Sequence, residues 1–99
     1  MKFGLTPEQY QFLLKHVIRP LETTGATIWC YGSRARGDHH QFSDIDLMVE
    51  NEKNPEKELS QINEFLENSN FPYKVDLVWY GHFADSYKKN YKTDKRKFS

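Results

Sequence analysis

Residues 43–49, Ser-Asp-Ile-Asp-Leu-Met-Val, alternate carboxylates with apolar side chains. This stretch restricts the fold more than any other in the chain. Side chains at i and i+2 of a strand share a face, so Asp44 and Asp46 project together, about 7 Å apart at their Cα atoms. Ile45, Leu47 and Val49 turn the other way and need a core. The pattern predicts a strand over 44–49 with one face buried under helices. Asp suits a strand poorly, and two like charges held this close repel unless a cation lies between them. A carboxylate pair in an apolar strand therefore marks a site rather than a solvated face.

A second signal lies upstream. Residues 26–31 read as a strand with Ile28 and Cys30 on one face and Thr27, Trp29 and Tyr31 on the other. Gly32-Ser33 follows, and ten residues, 34–43, separate Ser33 from Asp44. A glycine after a strand lets backbone N–H groups approach an anion. A helical turn over 33–36 would aim free N–H groups at a phosphate, and Ser33 adds a hydroxyl. Arg34 and Arg36 suit phosphate oxygens, and Gly37 ends the turn. One of the two arginines binds phosphate and the other pairs with a carboxylate; the residues alone leave open which. Ser43 either caps the approach to the strand or touches a phosphate. Carboxylates with phosphates are the ligands Mg²⁺ prefers, and two such ions about 3.5–4 Å apart can clamp a phosphoryl displacement. A phosphate cradle followed by a carboxylate strand reads as a nucleoside triphosphate site.

The rest of the chain supplies the layers. Residues 1–5 read as a loose lead-in. Thr6-Pro7-Glu8-Gln9 is a helix start with a capping box, and Tyr10, Leu13, Leu14, Val17 and Ile18 recur at helical spacing. Pro20 should end or kink that helix near Arg19. Pro55 opens a second helix to about residue 67, with Leu59, Ile62, Phe65 and Leu66 as its apolar stripe. Residues 73–79 read as a third strand carrying Asp76. A weaker helix runs over 82–91, where Phe83, Tyr87 and Tyr91 recur at i, i+4 and i+8 among lysines, a spacing that serves either the core or a partner surface. Residues 92–99 read as a frayed basic tail, leaving an ordered core of about 6–91. His39 and His40 read as exposed loop histidines, Cys30 as core, and Trp79-Tyr80 as the edge of the core. The order of elements gives an α+β (α/β two-layer) sandwich on a small mixed sheet.

Ninety-nine residues make one domain, 1–99. Only 37% of the chain is hydrophobic and 15% is aromatic, so large rings must fill much of the core. Formal net charge is zero, so no bulk attraction to nucleic acid exists and nucleic acid is not expected as a partner. The lone Cys30 forms no internal disulfide, and no signal peptide or membrane span is legible; a cytoplasmic protein is expected.

Gly32-Ser33, the ten-residue spacing, Asp44-x-Asp46 and the later strand residue Asp76 together resemble the signature of the DNA polymerase β-like nucleotidyltransferase superfamily. GSRARG followed by SDIDL resembles, more narrowly, its smallest members, the minimal nucleotidyltransferase (MNT) proteins, over about residues 6–91. The resemblance implies the polymerase β-like fold and transfer of a nucleoside monophosphate, AMP from ATP, to an acceptor hydroxyl with release of pyrophosphate. It implies a two-metal Mg²⁺ site on Asp44, Asp46 and Asp76, with Gly32 and Ser33 on the β and γ phosphates. Arg34, Arg36 and Ser43 are the further nucleotide-binding candidates. Larger relatives carry another domain for the base and acceptor, and this chain has no room for one. The resemblance therefore implies a partner, typically a small helical HEPN protein. In characterised pairs the HEPN protein is a toxic RNase, and the MNT antitoxin silences it by AMP transfer to a tyrosine of its active site. The alternative is a non-catalytic, nucleotide-sensing or binding module that neutralises a HEPN partner by contact.

Overall fold

Thr6 sets the first helix. Its Oγ1 accepts from the Gln9 N–H at 3.1 Å, and the Gln9 side chain accepts from the Thr6 N–H at 2.9 Å. This reciprocal cap starts α1, Pro7–Leu13. The computed structural model describes residues 2–99. Of the two outcomes expected at Pro20, an end or a kink near Arg19, the helix takes the second, a local irregularity rather than a stop. A π turn, Leu14–Ile18, leads directly into α2, Arg19–Glu22. Pro20 has no N–H to donate, and its ring would press on the His16 carbonyl. Widening the turn before it absorbs both defects, so the helix passes Pro20 and ends at the Thr23-Thr24-Gly25 turn.

Four strands form one mixed sheet in the order β3-β2-β1-β4. β1, Thr27–Tyr31, runs antiparallel to β2, Ile45–Glu50. β3, Val75–Trp79, is parallel to β2. Parallel strands need a crossover; α4, Glu56–Glu67, lies between them in the chain. One sheet face presents Ile28, Cys30, Ile45, Leu47 and Val49, all buried with Leu13, Val17, Ile18 and Leu21 from the first helices. From α4, Ile62 is buried and Leu59 and Leu66 pack at its margin. Phe65, expected in that stripe, is instead 41% exposed and stacks on Phe12 and His16.

The opposite face carries Tyr31, Asp46, Met48 and Glu50. α5, Asp85–Asp94, packs on this face, with the Tyr91 ring edge-on to Tyr31. Tyr91 of α5 is buried, its hydroxyl donates to the Glu50 carboxylate, and Lys95 Nζ meets the same carboxylate at 3.1 Å. The face is thus covered at Met48 and Glu50 and left more open at Asp46.

Both chain ends differ from expectation. Lys2–Gly4 form a short 3-10 turn, and Leu5 is buried in the core; residue 1 lies outside the described residues. Residues 92–99 are not a frayed tail. α5 runs to Asp94, and β4, Arg96–Lys97, pairs antiparallel with β1. Phe98 is fully buried, stacks on Phe3 and Tyr10, and takes a hydrogen bond from the Tyr10 hydroxyl on its carbonyl. One aromatic residue in a basic stretch is enough to anchor it, because a buried Phe side chain is worth about 1.5–3 kcal/mol.

Candidate active site

Three carboxylates gather where the sheet face is left open. Asp46 and Asp76 are register partners on the parallel pair β2 and β3, and Tyr31 is the partner of Asp46 on β1. Neighbouring strands lie about 4.8 Å apart, so the two Asp side chains leave the same face side by side. Asp44 stands two residues before Asp46, exposed, just outside the strand. The strand therefore begins one residue later than its alternation suggests. Burial pushes the Asp46 carboxyl above the usual carboxylate range, and the charges of Asp76 and then Asp44 push it further. Lys74 and Arg36 act weakly in the other direction. Lys74 Nζ lies 3.5 Å from Asp76 Oδ1.

The loop after β1 is built against this cluster. Gly32 has φ +73° and ψ −157°, a conformation essentially reserved for glycine. A side-chain carbon at Gly32 would fall 2.6 Å from Asp46 Oδ2. Glycine is required here twice, by the backbone and by the carboxylate beside it. α3, Ser33–Arg36, starts immediately and ends on left-handed Gly37, whose N–H donates back to the Ser33 carbonyl at 2.9 Å. The first N–H groups of α3 have no helical acceptor. They follow directly on Gly32, the residue set against the Asp46 carboxylate.

The two arginines separate clearly. Arg34 is buried and fully committed. Its guanidinium donates to the carbonyls of Phe3 at 2.8 Å, Ser43 at 3.0 Å and Gln41 at 3.4 Å, and it lies 4.4 Å from the Tyr73 ring centre. As a nucleotide-binding candidate Arg34 is corrected to a structural clamp on the 38–43 loop. Arg36 is exposed and pairs with Asp38 at 3.1 Å and Asp94 at 3.2 Å, so it remains the arginine open to a phosphate. Ser43 is also a loop element: its Oγ accepts from the His40 N–H at 2.8 Å. His40 is exposed, whereas His39 is half-buried, and its Nε2 occupies the space a side chain at Gly4 would need. Cys30 is buried, and desolvation with the Asp46 charge pushes its thiol up to about 12, so it is core rather than nucleophile.

The aromatic wall beside the loop was legible only as a helical spacing. Tyr31, Gly32, Arg36, Phe83, Tyr87, Asn90, Tyr91 and Asp94 enclose a cavity of about 280 Å³ between β1, α3 and α5. Tyr91, open from the sequence to either core or partner surface, is core. Tyr87 is 62% exposed, and Phe83 lies before the helix rather than in it. Nothing in the spacing of these residues says that their helix lands against Gly32.

Among the described residues, no three His, Cys, Asp or Glu side chains are already closed round one point as a metal cage would be. The donor set nevertheless fits Mg²⁺. Asp44, Asp46 and Asp76 offer only hard oxygen ligands, and their mutual repulsion is what a divalent ion between them would relieve. No helix among the described residues is long and apolar enough to cross a membrane.

The fold recurs in a solved structure of another protein. A crystal structure described as a toxin-antitoxin with AMP-PNP superposes with a TM-score of 0.66 at 21% identity, over 86% of this chain and 71% of that one. A Sulfolobus solfataricus protein assigned as a nucleotidyltransferase gives a TM-score of 0.49 at 22% identity, over 91% of this chain and 82% of that one. No curated protein matches the chain significantly. The family model described as "Nucleotidyltransferase domain" matches residues 13–99. With its glycine loop set on a strand carboxylate and a third Asp beside it, the chain belongs to the nucleotidyltransferase domain family.

Proposed function

We propose that this chain transfers AMP from ATP to an acceptor hydroxyl, a tyrosine of a HEPN toxin partner, and so acts as its antitoxin. One observation carries the reading: a Cβ at Gly32 would collide with the Asp46 carboxylate, and Asp76 stands beside Asp46 on the next strand. A phosphate loop and a carboxylate cluster are thereby held at one point. The N–H groups at Gly32 and Ser33 and the Ser33 hydroxyl hold the β and γ phosphates. Arg36 exchanges its carboxylate partners for phosphate oxygen. The acceptor oxygen attacks the α phosphorus, the bond to the bridging oxygen breaks, and pyrophosphate leaves. Asp76 lies where the acceptor hydroxyl loses its proton. Mg²⁺ bound by Asp44, Asp46 and Asp76 would neutralise the phosphate charge and favour the ionised acceptor. The protein's share is positioning and electrostatics.

The partner follows from two supports. The MNT-like motif is characteristic of chains that act on a HEPN protein, and the structural neighbour is described as a toxin-antitoxin with AMP-PNP. The test is the ribonuclease activity of the proposed HEPN partner. Pre-incubation with this chain, ATP and Mg²⁺ should abolish it, and Asp44→Asn should remove that protection with folding intact. Protection that survives Asp44→Asn would favour neutralisation by contact alone.

A further inference from the structure

We propose that the cavity between β1, α3 and α5 is the nucleobase subsite, where an adenine ring stacks on Tyr87 and Phe83 with Asn90 at its edge. The proposal rests on the nucleotidyl-transfer reading and adds to it the residues that recognise the base. The first argument is continuity. Gly32 belongs both to the phosphate loop and to the cavity lining. Tyr31 lines the cavity and is the register partner of Asp46. A molecule with its phosphates on Gly32 and Ser33 therefore has this cavity as its neighbour.

The second argument is chemistry. Tyr31, Phe83, Tyr87 and Tyr91 supply four rings to the lining. Tyr31 and Tyr91 are packed edge-on, and Tyr31 meets Phe83 edge-on as well. Tyr87 has only a tilted contact with Phe83 and stays 62% exposed. An exposed ring at a cavity mouth offers a free π-face, and bases stack on such rings whatever their identity. The third argument is charge. Apart from Arg36, at the end of the cavity next to the phosphate loop, the lining carries no cation, so its aromatic part suits the neutral end of the nucleotide. Asn90 adds an amide with a donor and an acceptor, the pair that an adenine edge takes. Trp79, by contrast, lies at the far end of β3 from Asp76 beside Val49, and its indole N–H is held by the Asn51 carbonyl at 2.9 Å.

The test is calorimetric titration of the folded chain, in Mg²⁺, with ATP and with inorganic tripolyphosphate, which lacks a base. Tyr87→Ala removes an exposed side chain and leaves the core intact. It should weaken ATP binding roughly tenfold or more and leave tripolyphosphate binding unchanged. Tyr87→Phe should keep the affinity of the unaltered chain, since the ring rather than the hydroxyl does the binding. ATP binding indifferent to Tyr87→Ala, with tripolyphosphate still bound, overturns the subsite and leaves the transfer reading standing. An unaltered chain that binds neither ligand overturns both.

Discussion

Asp46 on β2 stands beside Asp76 on the parallel strand β3, with no residue of offset between them. Burial, and after it the charge of Asp76, raises the cost of ionising Asp46, whose pKa is raised accordingly. A group whose folded pKa lies above its unfolded value binds its proton more tightly in the native state. Its stabilising contribution is present below the unfolded Asp range and is lost as pH rises through the raised value. At neutral pH the ionised cluster therefore works against the fold. Asp46→Asn should melt higher than the unaltered chain at pH 7, by on the order of a few degrees. The gain should shrink as the pH falls through the carboxylate range. Mg²⁺ should raise the melting temperature of the unaltered chain and do little for the variant. Thermal melts across pH, with and without Mg²⁺, check both statements.

Gly32→Ala should be damaging for two separable reasons. Alanine resists φ +73° with ψ −157°, at a cost of about 1–3 kcal/mol. Its methyl would also displace the Asp46 carboxylate. Chemical denaturation should show the stability loss. Nucleotide binding should fall below what partial unfolding explains, because the phosphate loop and the carboxylate move together.

The two arginines of the loop should behave oppositely. Arg34→Lys leaves the carbonyls of Phe3, Gln41 and Ser43 short of donors in a buried place and should cost about 2–4 kcal/mol of stability. Arg36→Gln should leave melting nearly unchanged, since its ion pairs are exposed, and should weaken tripolyphosphate binding. Denaturation and titration on the same two variants separate the roles.

Phe98 should prove a core residue despite its place at the end of a basic stretch. Phe98→Ala removes the ring stacked on Phe3 and Tyr10 and should cost about 3–5 kcal/mol. Loss of the last strand's pairing with β1 should follow, visible as faster amide exchange at Trp29 and Cys30.

Local signals carried much of this structure. The Thr6–Gln9 cap, the strand pattern over Ile45–Val49 and the buried face of β1 each rest on neighbours in sequence, so their periodicity and capping chemistry could be read directly. What escaped depends on residues far apart. Arg34 and Arg36 are equivalent on paper, and only the return of Phe3 and the 38–43 loop to Arg34 tells them apart. Pro20 left an end and a kink both open, because a π turn that absorbs it leaves no compositional mark. The 92–99 segment looked unanchored because a single Phe gives no period. Tyr91 left core and partner surface both open, because its partner, Glu50, lies across the sheet.

The most direct measurement is the intact mass of the proposed HEPN partner after incubation with this chain, ATP and Mg²⁺. The expected result is a gain of one or more AMP units on the partner, absent with Asp44→Asn and with Asp76→Asn, both folded. A partner that gains no mass while forming a tight complex with the unaltered chain would contradict nucleotidyl transfer as the function.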